Sequence, residues 1–177
     1  IDGKNTNKVL FLYGETGTGK THLLQAAANY LLSNSSNLSD SEILYIKADD
    51  FINELILSIG DNKSIQLKEK YNNLKFLFLD DVQDFYEKSV SQNILENIFD
   101  HIEINGGSIV FSADKIPGVS DRLKRRFLKG IVVKIERQYG KNEVIPVGDF
   151  LLGKILFFLL LNKCILLRYL LTSLALE

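Results

Sequence analysis

The sequence predicts an α/β domain, a parallel sheet covered by helices on both faces, and three observations carry that prediction. Short apolar runs alternate with segments of helical periodicity along the chain. The runs are nearly continuous in hydrophobicity, as strands buried on both faces are. Between the first run and the first helical segment stands Gly14-Glu15-Thr16-Gly17-Thr18-Gly19-Lys20-Thr21, which fits the pattern G-x-x-x-x-G-K-[ST]. Strand, glycine loop and helix in that order make a P-loop nucleotide-binding fold the expected architecture.

Each element has its own signal. The run 9–13 (VLFLY) reads as a strand and 22–32 as the helix after the loop, with His22 at its start. A Ser/Asn-rich loop over 33–41 leads to a strand at 43–46. Asp49 or Asp50 is suited to cap the next helix, 51–59, in which Phe51, Ile52, Leu55, Ile56 and Ile59 recur at helical spacing. Gly60-Asp61-Asn62 ends it, and 65–71 reads as a short amphipathic helix. The run 74–79 is a second strongly buried strand, closed by Asp80-Asp81. A helix over 90–104 stops at Gly106-Gly107. It is followed by a strand at 109–113, a short helix at 119–127 and a last strand at 131–135. No internal repeat is present.

The chemistry follows from this order. Triphosphate recognition needs several backbone N–H groups converging on anionic oxygens, and glycines let the chain come that close. Lys20 is then placed to reach the β- and γ-phosphates and the Thr21 hydroxyl to ligate Mg²⁺. The second element is Phe76-Leu77-Phe78-Leu79-Asp80-Asp81, an apolar strand ending in two carboxylates, which is the Walker-B arrangement. There the first acid holds Mg²⁺ and the second orients an attacking water. In an open parallel sheet both elements fall at the carboxyl ends of the strands, where ligands sit. Two aspartates capping the next helix are the bland alternative. Asp114, just past the strand at 109–113, is suited either to sensing the γ-phosphate or to opening the turn before Pro117. The run Asp121-Arg122-Leu123-Lys124-Arg125-Arg126-Phe127 is either a solvated basic face or the source of an arginine reaching a neighbouring subunit's ATP site.

Composition is that of an ordinary globular domain. With 177 residues, of which 46% are hydrophobic, the chain can bury a full core without staples. A single cysteine, Cys164, excludes a disulfide framework and points to a reducing, cytoplasmic setting. Residues 1–8 form a polar leader without a signal-peptide core. The chain starts at Ile1 rather than Met, which points to a fragment of something longer. Net charge is −1, yet between Lys115 and Lys141 nine basic residues face two acidic ones, a local positive patch.

In this order the motifs resemble the ATPase domain of the DnaA family of bacterial replication initiators, within the AAA+ superfamily. The matching residues are 14–24 (GETGTGKTHLL), 45–56 (YIKADDFINELI), 67–71 (LKEKY), 78–83 (FLDDVQ), 109–114 (IVFSAD) and 121–127 (DRLKRRF). The resemblance implies an AAA+ nucleotide-binding core over 9–137. In it Gly14 to His22 hold ATP or ADP, Thr21 and Asp80 support Mg²⁺, and Asp81 positions the water. It places Asp114 at the sensor-1 position and Arg126 at the arginine finger, with Arg122 in the same motif. Ile56, Lys88 and Ser91 match positions that contact single-stranded DNA, while Val90 stands where the family often has an arginine. The function implied is an ATP switch that initiates chromosomal replication by head-to-tail assembly on origin DNA. Hydrolysis would be slow, and the replicative helicase is a candidate partner. A DnaA-related regulator, a helicase loader and a degenerate, non-assembling paralogue are the alternatives.

From residue 138 the composition changes. The segment 150–177 contains 12 leucines in 28 residues, and Arg168 does not match the sensor-2 context of the family's helical lid. The lid is therefore expected to be absent or atypical. Lys154, Asn162, Lys163 and Arg168 interrupt any membrane helix. The abrupt shift where the resemblance stops favours a frame change or truncation after Gln138, with a membrane helix and a folded lid or partner-binding helix as competing readings.

Overall fold

A computed structural model describes residues 9–35, 38–60 and 64–136. They form β1 (Val9–Tyr13), α1 (Lys20–Asn34), β2 (Ile43–Lys47), α2 (Ala48–Gly60), α3 (Ser64–Asn72), β3 (Phe76–Asp80), α4 (Ser89–Ile104), β4 (Ser108–Ala113), α5 (Asp121–Lys129) and β5 (Ile131–Lys134). Short 3-10 turns precede β2 and follow β3. The strands make one fully parallel sheet in the order β2-β3-β4-β1-β5. The polar leader and the leucine-rich tail, with Cys164 and Arg168, lie outside the described residues. Among the described residues no helix is long and apolar enough to cross a membrane.

Side-chain alternation along each strand divides the core in two. Leu10 and Leu12 of β1, Phe76 and Phe78 of β3 and Val110 of β4 face α1, meeting Leu24, Ala27, Ala28 and Leu31. Phe11, Leu77, Leu79, Ile109 and Phe111 point the other way, into a larger layer built by α2, α3, α4 and α5. There Phe111 and Phe127 pack with tilted rings 4.5 Å apart between centroids, and Phe99 lies 5.0 Å from Phe111. Those rings lock α4 and α5 to the centre of the sheet.

Helix boundaries depart from the sequence reading for local reasons. α1 begins at Lys20 rather than at 22, directly after Gly19 in the left-handed conformation. α2 begins at Ala48, so Asp49 and Asp50 lie in its first turn, where the helix dipole favours acids, rather than before it as caps. α5 begins at Asp121, because the Ser120 hydroxyl accepts a hydrogen bond from the Leu123 N–H at 3.2 Å and caps the helix. Asp80 is the last residue of β3, one position inside the strand.

Candidate nucleotide-binding site

Parallel strands bring the chemistry to one edge of the sheet. Tyr13 of β1 pairs with Ala113 of β4, and Leu79 of β3 pairs with Phe111, so the glycine loop, Asp80, Asp81 and Asp114 all emerge at the carboxyl ends. Glycine is required at two kinds of position in the loop. A Cβ on Gly14 would lie 2.1 Å from the Ile135 carbonyl oxygen, and Gly17 and Gly19 adopt φ of 80° and 90°. The loop closes on itself through Thr18, whose hydroxyl donates to the Glu15 carbonyl at 2.9 Å. Glu15 and Thr16 are exposed at the loop tip, and His22 is exposed on the first turn of α1.

Lys20 is only 5% exposed, and its ammonium is fully engaged. Nζ donates to the carbonyls of Gly14 at 2.8 Å and Glu15 at 3.0 Å, and to Asp114 Oδ1 at 2.8 Å. Thr16 Oγ1 donates to the other oxygen of Asp114 at 2.9 Å. The ammonium of Lys20 holds the Asp114 carboxyl below the usual carboxylate range, with help from Thr16 and against a smaller opposing effect of burial. Asp114 therefore stands as an anion beside the Lys20 ammonium.

The Walker-B acids sit in a second network. Asp80 is fully buried, accepting from Tyr45 OH at 2.9 Å and from Ser112 Oγ. Burial, and then the adjoining Asp80 carboxylate, push the Tyr45 phenol well above its usual range, so it stays a donor. Asp81 takes a left-handed conformation, φ 59° and ψ 47°, which aspartate tolerates better than most residues. Its N–H donates to Ser112 Oγ at 3.1 Å. Gln83 closes the circuit, its Nε2 donating to Asp81 Oδ1 at 3.0 Å and its Oε1 accepting from the Asp114 N–H at 3.3 Å. Nearby, burial and then the charges of Asp49 and Asp81 raise the Asp84 carboxyl.

The arginine cluster lies elsewhere. Because the strands are parallel, α4 runs back from the carboxyl end of the sheet toward the amino end, and Asp100 and Glu103 lie near its far end. Arg126 of α5 pairs there, donating from Nη2 to Asp100 Oδ1 and lying 3.8 Å from Glu103 Oε2 through Nη1. That Nη1 is buried and makes no hydrogen bond. Arg122 bridges Asp100 Oδ2 at 3.5 Å and the buried Glu96 at 3.2 Å, while Arg125 is exposed. The structure thus joins Lys20, Thr16, Asp114, Asp81 and Asp80 at one edge and leaves Arg126 toward the opposite one.

The residues matched to DNA contacts are split. Ile56 is 60% exposed on α2 and Lys88 is exposed just before α4, paired with Asp49 at 3.3 Å. Ser91, by contrast, is buried in α4 at 8% exposure, beneath the exposed Val90. Gln83, Ser112 and Tyr45 were not singled out from sequence. The usable signal was a serine inside an otherwise apolar buried strand, and polar residues within the runs that carried the resemblance.

The family model described as the bacterial DnaA ATPase domain matches residues 2–134. The chain belongs to that family. The fold agrees. Domain III of the Thermotoga maritima replication initiation protein DnaA is 34% identical over 75% of this chain and 57% of its own, with a TM-score of 0.69. AMPPCP-bound DnaA from Aquifex aeolicus is 35% identical over 73% of this chain and 40% of its own, with a TM-score of 0.67. A replication initiator DnaA bound to AMPPCP and single-stranded DNA is 30% identical over 89% of this chain and 56% of its own, with a TM-score of 0.70. The chain thus spans between 40% and 57% of the length of these relatives. The five-stranded parallel sheet with helices on both faces is the DnaA-type AAA+ P-loop core.

Proposed function

We propose that residues 9–136 are the ATP-binding core of a DnaA-type switch, which assembles head to tail with other copies on origin DNA to initiate chromosomal replication. The observation that supports this reading best is the buried Lys20 ammonium, held at the mouth of the glycine loop by two carbonyls and one exchangeable carboxylate. A buried cation whose third partner is 40% exposed can trade that partner for phosphate oxygens. The loop N–H groups and the start of α1 then face the same anion.

Thr21 and Asp80 are the residues that would hold Mg²⁺. One hydroxyl and one carboxylate suit a hard cation that keeps several waters and takes its other ligands from phosphates. Among the described residues no group of three or more metal-ligating side chains competes for that assignment. When bound, the ion would neutralise charge on the phosphate oxygens. Asp81, aimed from its left-handed turn, would orient the attacking water, and Asp114, released by Lys20, would report the γ-phosphate. Hydrolysis is the slow reset of the switch. Arg126 pairs with Asp100 and Glu103 of α4 rather than with the glycine loop, which fits a role in a neighbour's site and heterologous stacking. Nucleotide and single-stranded DNA accompany DnaA relatives of the same fold, which supports the assignment of both ligands here.

Calorimetric titration with ATP and Mg²⁺ tests the nucleotide reading. Wild-type chain should bind and Lys20→Ala should not. Equal heats from both would reject the glycine loop as the site.

A further inference from the structure

The two carboxylates that act on the γ-phosphate side of the site come from different strands, Asp81 after β3 and Asp114 after β4, and each needs a fixed direction. Their backbones are tied by Ser112, which lies in β4 and accepts from the Asp81 N–H at 3.1 Å. One side chain further links the Asp81 carboxylate to the backbone of Asp114. Gln83 donates from Nε2 to Asp81 Oδ1 at 3.0 Å and accepts at Oε1 from the Asp114 N–H at 3.3 Å. A primary amide suits this task, since it offers a donor to a carboxylate and an acceptor to an N–H from one rigid plane. A carboxylate in its place would lose the donor and repel Asp81. An apolar group would lose both ends. Gln83 lies in the short 3-10 turn after β3, so its amide follows the backbone that carries Asp81 rather than a flexible loop.

We infer that Gln83 is a positioning residue for ATP hydrolysis, aligning the Asp81 carboxylate with the Asp114 strand end so that both face one water. This rests on the reading of the chain as an ATPase switch. Gln83 does not touch Lys20, whose partners are Gly14, Glu15 and Asp114, so nucleotide affinity should be largely independent of it. The role is therefore visible as a split between binding and turnover.

The test is a double-mutant cycle on the whole chain. It combines Gln83→Leu and Gln83→Glu with Asp81→Asn, measuring ATP affinity by calorimetry and phosphate release under single-turnover conditions. Either Gln83 substitution alone should slow turnover about tenfold, the scale of a misdirected catalytic group, while ATP affinity stays within about threefold. In the Asp81→Asn background the further loss from Gln83→Leu should shrink to under about twofold, because a residue acting through Asp81 has nothing left to align. Thermal midpoints of all variants show whether each is folded, and Gln83→Glu, which keeps its size, stands in if Gln83→Leu is not. Undiminished turnover in the Gln83 variants, or an equal loss with and without Asp81, overturns the inference and leaves the switch reading intact. Wild-type chain that binds ATP without turning it over also overturns it. Wild-type chain that binds no ATP rejects the switch reading itself.

Discussion

The phosphate loop and the arginine helix each carry a cation suited to a phosphate, and each holds it against a carboxylate of its own chain. Lys20 is buried among two carbonyls and Asp114, with every donor directed inward. Arg126 is 18% exposed, shares Asp100 with Arg122, and leaves Nη1 without a hydrogen bond. The loop presents a buried cation whose one carboxylate partner is 40% exposed. Arg126, by contrast, is tied into an ion-pair cluster with Asp100, Glu103 and Arg122 on α4 and α5, away from the glycine loop.

Four experiments press on that contrast. The largest effect belongs to Lys20→Ala, which should cost at least about 100-fold in ATP affinity by calorimetry, since a charge-assisted contact inside a closed loop has no substitute. Near-native affinity would reduce the Lys20–Asp114 contact to an ordinary ion pair. Next comes Asp81→Asn, expected to slow single-turnover hydrolysis about 100-fold with ATP affinity unchanged, the scale of a lost general base. Turnover at the wild-type rate would leave Asp81 as a turn residue only. Arg126→Ala should leave ATP affinity per protomer within about threefold yet weaken ATP-dependent assembly by about 2–5 kcal/mol, as expected when one member of a desolvated charge pair is truncated. Arg125→Ala, on the exposed side of the same helix, should assemble normally in light scattering. Equal assembly by both variants would remove Arg126 from the interface.

The smallest effect is the pH dependence of the empty loop. Lys20 lowers the Asp114 carboxyl below its unfolded value. Its contribution is therefore fully present above about pH 4 and is lost as pH falls through the lower folded value. Asp114→Asn should destabilise the nucleotide-free chain by about 1 kcal/mol or less at neutral pH, because Asp114 is 40% exposed and solvent screens the pair. Urea titrations should show that difference closing below about pH 3. A gap that persists there would mean that packing, not charge, holds the loop.

Most of the first region was legible in the sequence. β1 falls where an apolar run of five residues precedes the glycines, and the Walker-B strand was expected with its acids at the end, though Asp80 proved to be inside it. Local signals sufficed because strand, loop and helix are contiguous. The strand order was not legible, since any parallel order fits the same alternation of elements. Nor was the chain of contacts from Lys20 through Asp114 and Gln83 to Asp81, whose members are separated by 94 and 31 positions. The arginine region was half legible. A dense run of cations is visible in any sequence, but its partners Asp100 and Glu103 lie on the preceding helix and carry no motif. Only packing of Phe127 against Phe111 and Phe99 reveals that they meet.

On the proposed reading, a phosphate held in the glycine loop of one copy is met by Arg126 of the next. Sedimentation velocity on the wild-type chain with no nucleotide, with ADP and with a non-hydrolysable ATP analogue tests it most directly. Monomers are expected in the first two conditions and a concentration-dependent series of larger species in the third, abolished by Arg126→Ala and unaffected by Arg125→Ala. A single monomeric species in all three conditions, with the analogue shown to be bound, would contradict it.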